Sequence, residues 1–327
     1  DFTTASKTVF ANPDVRFVNL NVASFDAHKL SAVPAVSDAR RGLEQLAEAL
    51  GDWHAPASYT DRATGLARDW DVVVQRSHDL GHTPLPAQSE VLGVVNRLSR
   101  PQDVVVCAAG SMPGDLHKLW RTRDPKGYHV EYGYSCMGYE IAGGLGVKLA
   151  TLDAGEDRDV FVLVGDGSYL MMAQELVTAV AEGIKLIVVL VQNHGFASIG
   201  ALSESLGSQR FGTRYRYRTG SGLDGDKLPV DLAANAASLG AQVIRVSGVS
   251  ELEKALAEAQ AADATTVVHV ETDPLVPAPD SPAWWDVPVA EVSGLSSTQE
   301  ARTTYERHKQ AQRTHLTPSE TESSRTR

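Results

Sequence analysis

Cysteine is scarce in this chain: two in 327 residues, Cys107 and Cys136. Two thiols cannot make a disulfide framework or a four-ligand zinc site. Both flank expected strand-to-helix turns, where small, reduced core residues are the expectation. No apolar run approaches the roughly 20 residues that a bilayer-spanning helix needs, and no signal peptide opens the chain. A reducing cytoplasm is the expected setting. Positive charge is also in deficit, with 30 Lys and Arg against 41 Asp and Glu, a net charge of −11. Such a surface argues against nucleic acid or anionic membrane as a partner. Any anionic ligand must then be held by local donors or a metal. Two nucleotide fingerprints are missing as well. The turn at Gly165 has Leu170 where Gly-x-Gly-x-x-Gly needs its third glycine, and no Gly-x-x-x-x-Gly-Lys-Ser/Thr occurs.

What is present concentrates between Val162 and Phe196. An apolar run ends in Gly165-Asp166-Gly167-Ser168. A helix-length amphipathic segment follows, and a second apolar run, Ile187 to Val191, leads to Gln192-Asn193-His194-Gly195. In a parallel sheet both strand ends reach the same edge, so Asp166 and Asn193 can converge. A carboxylate, an amide oxygen and a loop carbonyl are hard oxygen ligands suited to Mg²⁺ that also holds phosphate oxygens. The glycines let a diphosphate approach the backbone, and a helix starting near Ser168 aims free N–H groups at it. Taken alone, Gly165 to Ser168 is equally readable as a plain βα turn; Asn193 at the end of the next strand argues for the metal.

The Gly-Asp-Gly turn followed 27 positions after its Asp by an Asn resembles the signature of the thiamine diphosphate enzymes. The segments Gly165 to Thr178, Phe211 to Arg218 and Trp284 to Ser293 look like the inositol-catabolism branch of that superfamily, over almost the whole chain. The resemblance implies that Asp166, the Asn193 side chain and the Gly195 carbonyl bind Mg²⁺. It implies that the turn holding Gly110 and Ser111, with Gly165, Gly167 and Ser168, lines the diphosphate of thiamine diphosphate. Met137 would be the apolar wedge beneath the cofactor, and the Ser135 carbonyl would accept a bond from its exocyclic amine. The plainer alternative for Met137 is core packing. His194 is the candidate catalytic side chain facing substrate; capping the loop is its alternative. The implied reaction is hydrolytic C–C cleavage of a cyclic 1,2-dione to an open-chain acid. A 2-oxo acid decarboxylase or a carboligase of the acetolactate type is the alternative within the superfamily, and a non-catalytic diphosphate-binding subunit is the alternative outside it. The acid that activates the cofactor's pyrimidine ring lies, in the family, on a separate pyrimidine-binding domain. No second α/β domain here can supply it, so a partner chain or a preceding N-terminal half is expected to, within a homo-oligomer.

The rhythm of strands and helices implies an α/β fold, a doubly wound, mostly parallel sheet covered on both faces. Residues 1–56 are expected to be the C-terminal part of a central α/β domain, 57–86 a linker, 87–300 the diphosphate- and Mg-binding domain and 301–327 a polar tail. The chain opens without Met and quickly enters a strand-like stretch, Val15 to Val22, as a piece of a longer polypeptide would. One helix is expected over Tyr169 to Ala181, a capping box at Ser250 and Glu253, close helix–sheet packing at Gly143 and Gly144, and disorder after Thr317. Arg210, Arg214, Arg216 and Arg218 lie in a long loop, 195–229. Loops of that length are often functional. These cations suit a polyhydroxy dione or a product carboxylate, although a solvated basic stretch accounts for any one of them.

Overall fold

Runs of Val, Ile and Leu build the strands at the centre of the chain, because β-branched residues fill a pleated surface buried on both faces. The computed structural model describes residues 4–10, 12, 14–131, 133–280 and 284–312. The chain falls into two compact units, Asp1–Leu66 with Ser281–Arg327, and Ala67–Asp280.

In the first unit, β1 (Val18–Asn21) and β2 (Val33–Val36) pair in parallel through the short helix α1 (Ser24–Ala27). The helix α2 (Ala39–Leu50) follows, its N-terminus capped by Asp38, which accepts the Arg41 N–H. The stretch expected as a linker contains a 22-residue helix, α3 (Ala57–His78), within which the division between the units falls.

The second unit carries the main sheet. Its elements run α4 (Gln88–Leu98), β3 (Val104–Cys107), α5 (Ser111–Leu119), β4 (Tyr128–Val130), α6 (Tyr139–Asp153), β5 (Val160–Gly165), α7 (Asp166–Met172), α8 (Glu175–Ala181), β6 (Ile187–Gln192), α9 (Ala197–Ser205), α10 (Leu232–Ser238), β7 (Gln242–Val246), α11 (Val249–Ala261) and β8 (Thr266–Glu271). Six parallel strands lie in the order β4-β3-β5-β6-β8-β7. Alternate residues feed the two faces. Val105, Cys107, Phe161, Leu163, Val189 and Val268 pack with α4, α5 and α11. Val104, Val106, Val162, Val164, Val188 and Val267 pack with α6, α8 and α10. This is the doubly wound α/β sheet that the sequence implies. The chain leaves β3 towards β4 on one side and returns to β5 on the other. The carboxyl ends of β3 and β5 therefore form a topological switch point, where open α/β sheets leave a crevice. Close packing of α6 on the sheet is real: a Cβ at Gly144 would lie 2.3 Å from Val162 Cγ2.

Several local expectations are corrected. The helix expected over Tyr169 to Ala181 starts earlier, at Asp166, and breaks at Ala173–Gln174 into α7 and α8. The capping box at Ser250 does not form. The N-cap of α11 is Gly248, two residues earlier; Glu251 accepts the Ser247 N–H and hydroxyl, and Glu253 instead pairs with Arg97. Cys107 is buried, but Cys136 is exposed and not a core residue. The loop after Gly195 contains α9, and its remainder folds back on itself through backbone bridges Gly195–Arg214 and Arg216–Lys227. In the first unit, Ser296–Ala311 forms the helix α12. Tyr132 and the segment after Thr317, expected to be disordered, lie outside the described residues. Among the described residues no helix is long and apolar enough to cross a membrane.

Candidate active site

The carboxyl ends of β3, β4, β5 and β6 deliver four turns to one cavity. Its wall includes Gly110, Ser111, Met137, Gly165, Asp166, Gly167, Ser168, Asn193 and Gly195. The structure thus brings together nine of the eleven residues singled out in the sequence. Ser135 and His194 are not among them. Ser135 sits at a positive φ of 52° in the exposed stretch 133–136, whose Tyr134 and Cys136 N–H groups donate to the Glu131 carboxylate. His194 lines a second, neighbouring cavity.

Asp166 is 1% exposed at the first residue of α7. Its Oδ1 accepts the Gly167 N–H at 2.8 Å, and its Oδ2 accepts the N–H groups of Asn193 at 3.1 Å and Gly195 at 3.2 Å. One carboxylate therefore ties the end of β5 to the end of β6. Burial pushes its pKa up to about 6 against the opposing pull of those N–H donors. The side-chain Oδ1 of Asn193 is buried and has no hydrogen-bond partner. A buried acceptor without a donor costs free energy unless something electropositive meets it. Gly195 is required sterically: a Cβ there would lie 2.2 Å from the Thr213 carbonyl oxygen. Among the described residues no three His, Cys, Asp or Glu side chains gather to hold a metal. A cation in this cavity would have to be met by one carboxylate with amide and carbonyl oxygens, the donor set of a hard divalent ion.

The helix α5 opens on Gly110 and Ser111 with no side-chain cap, so its first N–H groups face the cavity. Met137 is half-buried, and its Cε lies 3.4 Å from where a Cβ on Gly167 would sit. The sequence reading missed Glu140. It is 1% exposed; its Oε1 accepts the Ala109 N–H at 3.2 Å, its Oε2 accepts the Gly138 N–H at 3.1 Å, and the Ser168 hydroxyl donates to both oxygens at 2.8 and 2.9 Å. This one side chain joins the turns after β3, β4 and β5. Burial raises its pKa, opposed by those hydrogen bonds. Its signal was a lone acid within the otherwise apolar, Gly-rich run from Tyr139 to Val147. Gln88 was missed too: it accepts from the Ser111 hydroxyl and donates to Asp115, whose burial pushes its pKa up to about 6.

His194 adopts a positive φ of 60°. Gln192 donates through Nε2 to the Val230 carbonyl, and the same nitrogen lies 3.1 Å from His194 Nδ1. That leaves the proton on His194 Nε2, which donates to Glu271 at 2.8 Å. Both ring nitrogens are engaged, which suits a positioning role and not proton transfer to a ligand.

Residues 108–270 match the family described as thiamine pyrophosphate enzyme, C-terminal TPP binding domain. The chain is 38% identical over 328 residues to 3D-(3,5/4)-trihydroxycyclohexane-1,2-dione hydrolase 2 of Bacillus cereus, covering 92% of this chain and 50% of that protein. It is 36% identical over 327 residues to the hydrolase of the same name, without the numeral, from Bacillus thuringiensis, with the same coverage. The chain spans about half the length of the curated relatives it matches. Two solved structures share the fold. They are a thiamine diphosphate-dependent 4-hydroxybenzoylformate decarboxylase of Rhodococcus jostii RHA1 (TM-score 0.59, 18% identity, 80% of this chain and 44% of that one) and benzoylformate decarboxylase of Polynucleobacter necessarius (TM-score 0.52, 24% identity, 60% and 35%).

Proposed function

Because the chain belongs to the thiamine diphosphate-dependent enzymes, we propose that it forms the diphosphate-binding half of a hydrolase that opens a cyclic 1,2-dione. The observation that carries this reading is the convergence at one cavity of Asp166, Gly195 and the buried, partnerless Asn193 Oδ1. It is joined by the 38% identity to relatives named for that reaction.

In this reading Asp166, the Asn193 amide oxygen and the Gly195 carbonyl hold Mg²⁺. The α5 N-terminus with Gly110 and Ser111, and the turn Gly165 to Ser168, hold the diphosphate. Met137, packed against Gly167, would support the cofactor's rings, and Glu140 locks the turns after β3, β4 and β5 in register. Bound thiamine diphosphate supplies the electron sink that lets a C–C bond next to a carbonyl break. The bond cleaved joins the two carbonyl carbons of the dione. One water adds, its OH to one carbon and its H to the other, giving an open-chain molecule with one carboxylic acid and one aldehyde. The turn at Ser135 is exposed, and a pyrimidine-binding domain must complete the site. We infer that this domain, from a preceding half of the polypeptide or another chain of a homo-oligomer, brings the acid that activates the cofactor. His194 holds the wall between the two cavities and is a positioning residue.

The test uses the enzyme with its pyrimidine-binding half. Conversion of the cyclic dione to an acid is followed by NMR, with cofactor affinity measured separately at varied Mg²⁺. Asp166→Ala should abolish Mg²⁺-dependent cofactor binding. Unchanged affinity in that variant would overturn the metal assignment. Carbon dioxide released from a 2-oxo acid, with the dione untouched, would replace the hydrolase by a decarboxylase.

A further inference from the structure

Next to the cofactor cavity lies a second one that the proposed reaction does not use. The two share Asn193, Gly195 and Ala197 in their walls. The second cavity is lined by Arg210, Arg214, Arg216 and Lys227, with Asp273 as its one carboxylate. In a chain of net charge −11 this is a local reversal of sign.

Its construction follows from the chain. The segment after Thr213 is extended and held at both ends. Gly195 bridges Arg214, Arg216 bridges Lys227, Tyr215 donates its N–H to the His194 carbonyl, and Leu228 donates its N–H to the Tyr215 carbonyl. In an extended segment residues two apart face the same side, so Arg214 and Arg216 both reach the cavity. Lys227 lies directly across the antiparallel bridge from Arg216. Like charges opposed in this way repel and destabilise the pairing.

The available counter-charges are already committed. Asp273 is hydrogen-bonded to His82 at 2.9 Å, Glu204 is held by Arg210 at 2.7 Å, and Glu271 is bonded to His194, with Lys227 no nearer than 4.0 Å. Arg216 finds only the Gly225 carbonyl, at 3.3 Å. The Arg214 side chain has no hydrogen-bond or ion-pair partner among the described residues. A forked guanidinium left open beside two further cations matches an oxyanion.

We propose that this cavity is a carboxylate site, taking the carboxylate of a small polyhydroxylated acid with Arg214, Arg216 and Lys227 as its recognition groups. The oxyanion chemistry stands on this geometry alone. Identifying the acid with the class that ring opening releases rests on the proposed reaction. That acid would form in the first cavity and move its charged end across the shared wall at Asn193 and Gly195 into the second.

Isothermal titration of the 327-residue chain tests this with three probes: D-glucuronate, inorganic phosphate and the neutral polyol myo-inositol. Glucuronate should bind and myo-inositol should not. Arg214→Gln and Lys227→Gln should each weaken glucuronate by roughly tenfold or more, the scale of one charge-assisted hydrogen bond. Both side chains lie at the surface, so thermal melts should match the parent. Lys126→Gln, which removes a surface cation paired with Glu156 elsewhere, should change nothing. No oxyanion binding, or binding indifferent to Arg214 and Lys227, overturns the site. Phosphate binding that glucuronate cannot displace overturns the carboxylate identity. A complete enzyme that leaves the dione unopened, while Arg214-dependent glucuronate binding persists, refutes the reaction and supports the site.

Discussion

Truncating Glu140 tests the idea that one buried carboxylate holds together the turns after β3, β4 and β5 at the candidate site. In Glu140→Ala the Ala109 N–H and the Ser168 hydroxyl lose their acceptor, whereas the Gly138 N–H keeps Ser168 Oγ at 2.9 Å. Two orphaned buried donors at ~1–3 kcal/mol each give a loss of about 2–6 kcal/mol, before any cavity contribution. That is a large part of an ordinary domain's stability. Glu140→Gln keeps the shape but turns one acceptor into a donor that faces another donor, costing about 1–3 kcal/mol. The pH dependence separates a buried carboxylate from simple packing. Burial raises the Glu140 pKa above its ordinary 4.5. The folded state therefore binds the proton more tightly than the unfolded chain. The stability that this proton contributes is fully present below pH 4.5 and is lost as pH rises through the folded pKa. Every other group is common to the two proteins, so the stability of wild type minus that of Glu140→Gln should shrink as pH rises through this window. Urea melts at a series of pH values from about 4 upwards measure it. A difference that grows with pH, or Gln and wild-type curves that coincide throughout, would refute the reasoning.

Two further outcomes follow from burial and contact. Thiol reagents at neutral pH should label the exposed Cys136 and spare Cys107, whose pKa burial pushes up to about 12, until the chain unfolds; mass spectrometry of labelled peptides reads this, and prompt labelling of Cys107 in the native protein would contradict the core packing. Met137→Ala in the complete enzyme should lower turnover far more than thermal stability, because the side chain is half-buried at the cavity wall; a stability loss of ~2–5 kcal/mol with normal turnover would make it an ordinary core residue.

How much of this was legible in the sequence depends on the range of the interaction concerned. The strands β5 and β6 announce themselves as apolar runs, and the turn residues Asp166 and Asn193 sit where each run stops, so their meeting follows from parallel strand order alone. Gly110 and Ser111 after β3 came from the family resemblance instead. What was not legible depends on side chains reaching across the sheet. Glu140 looks like a helix residue until its oxygens are seen on Ala109, Gly138 and Ser168, turns that lie 31, 2 and 28 positions away. His194 follows Asn193 directly, yet a positive φ at that residue turns it to the other wall, where Gln192 and Glu271 take both nitrogens. Ser250 and Glu253 fit the capping pattern but were two residues out of place, since the N-cap is Gly248, the helix starts at Val249, and Glu253 pairs with the distant Arg97. The long basic loop carried no strand signal because its extended segment is fixed by single bridges to Gly195 and Lys227 and not by an apolar face. Those same bridges collect Arg214, Arg216 and Lys227 in the second cavity, beside the candidate site. The composition of the loop suggested a polar or anionic ligand, and the register of two backbone bridges is what brings its cations together.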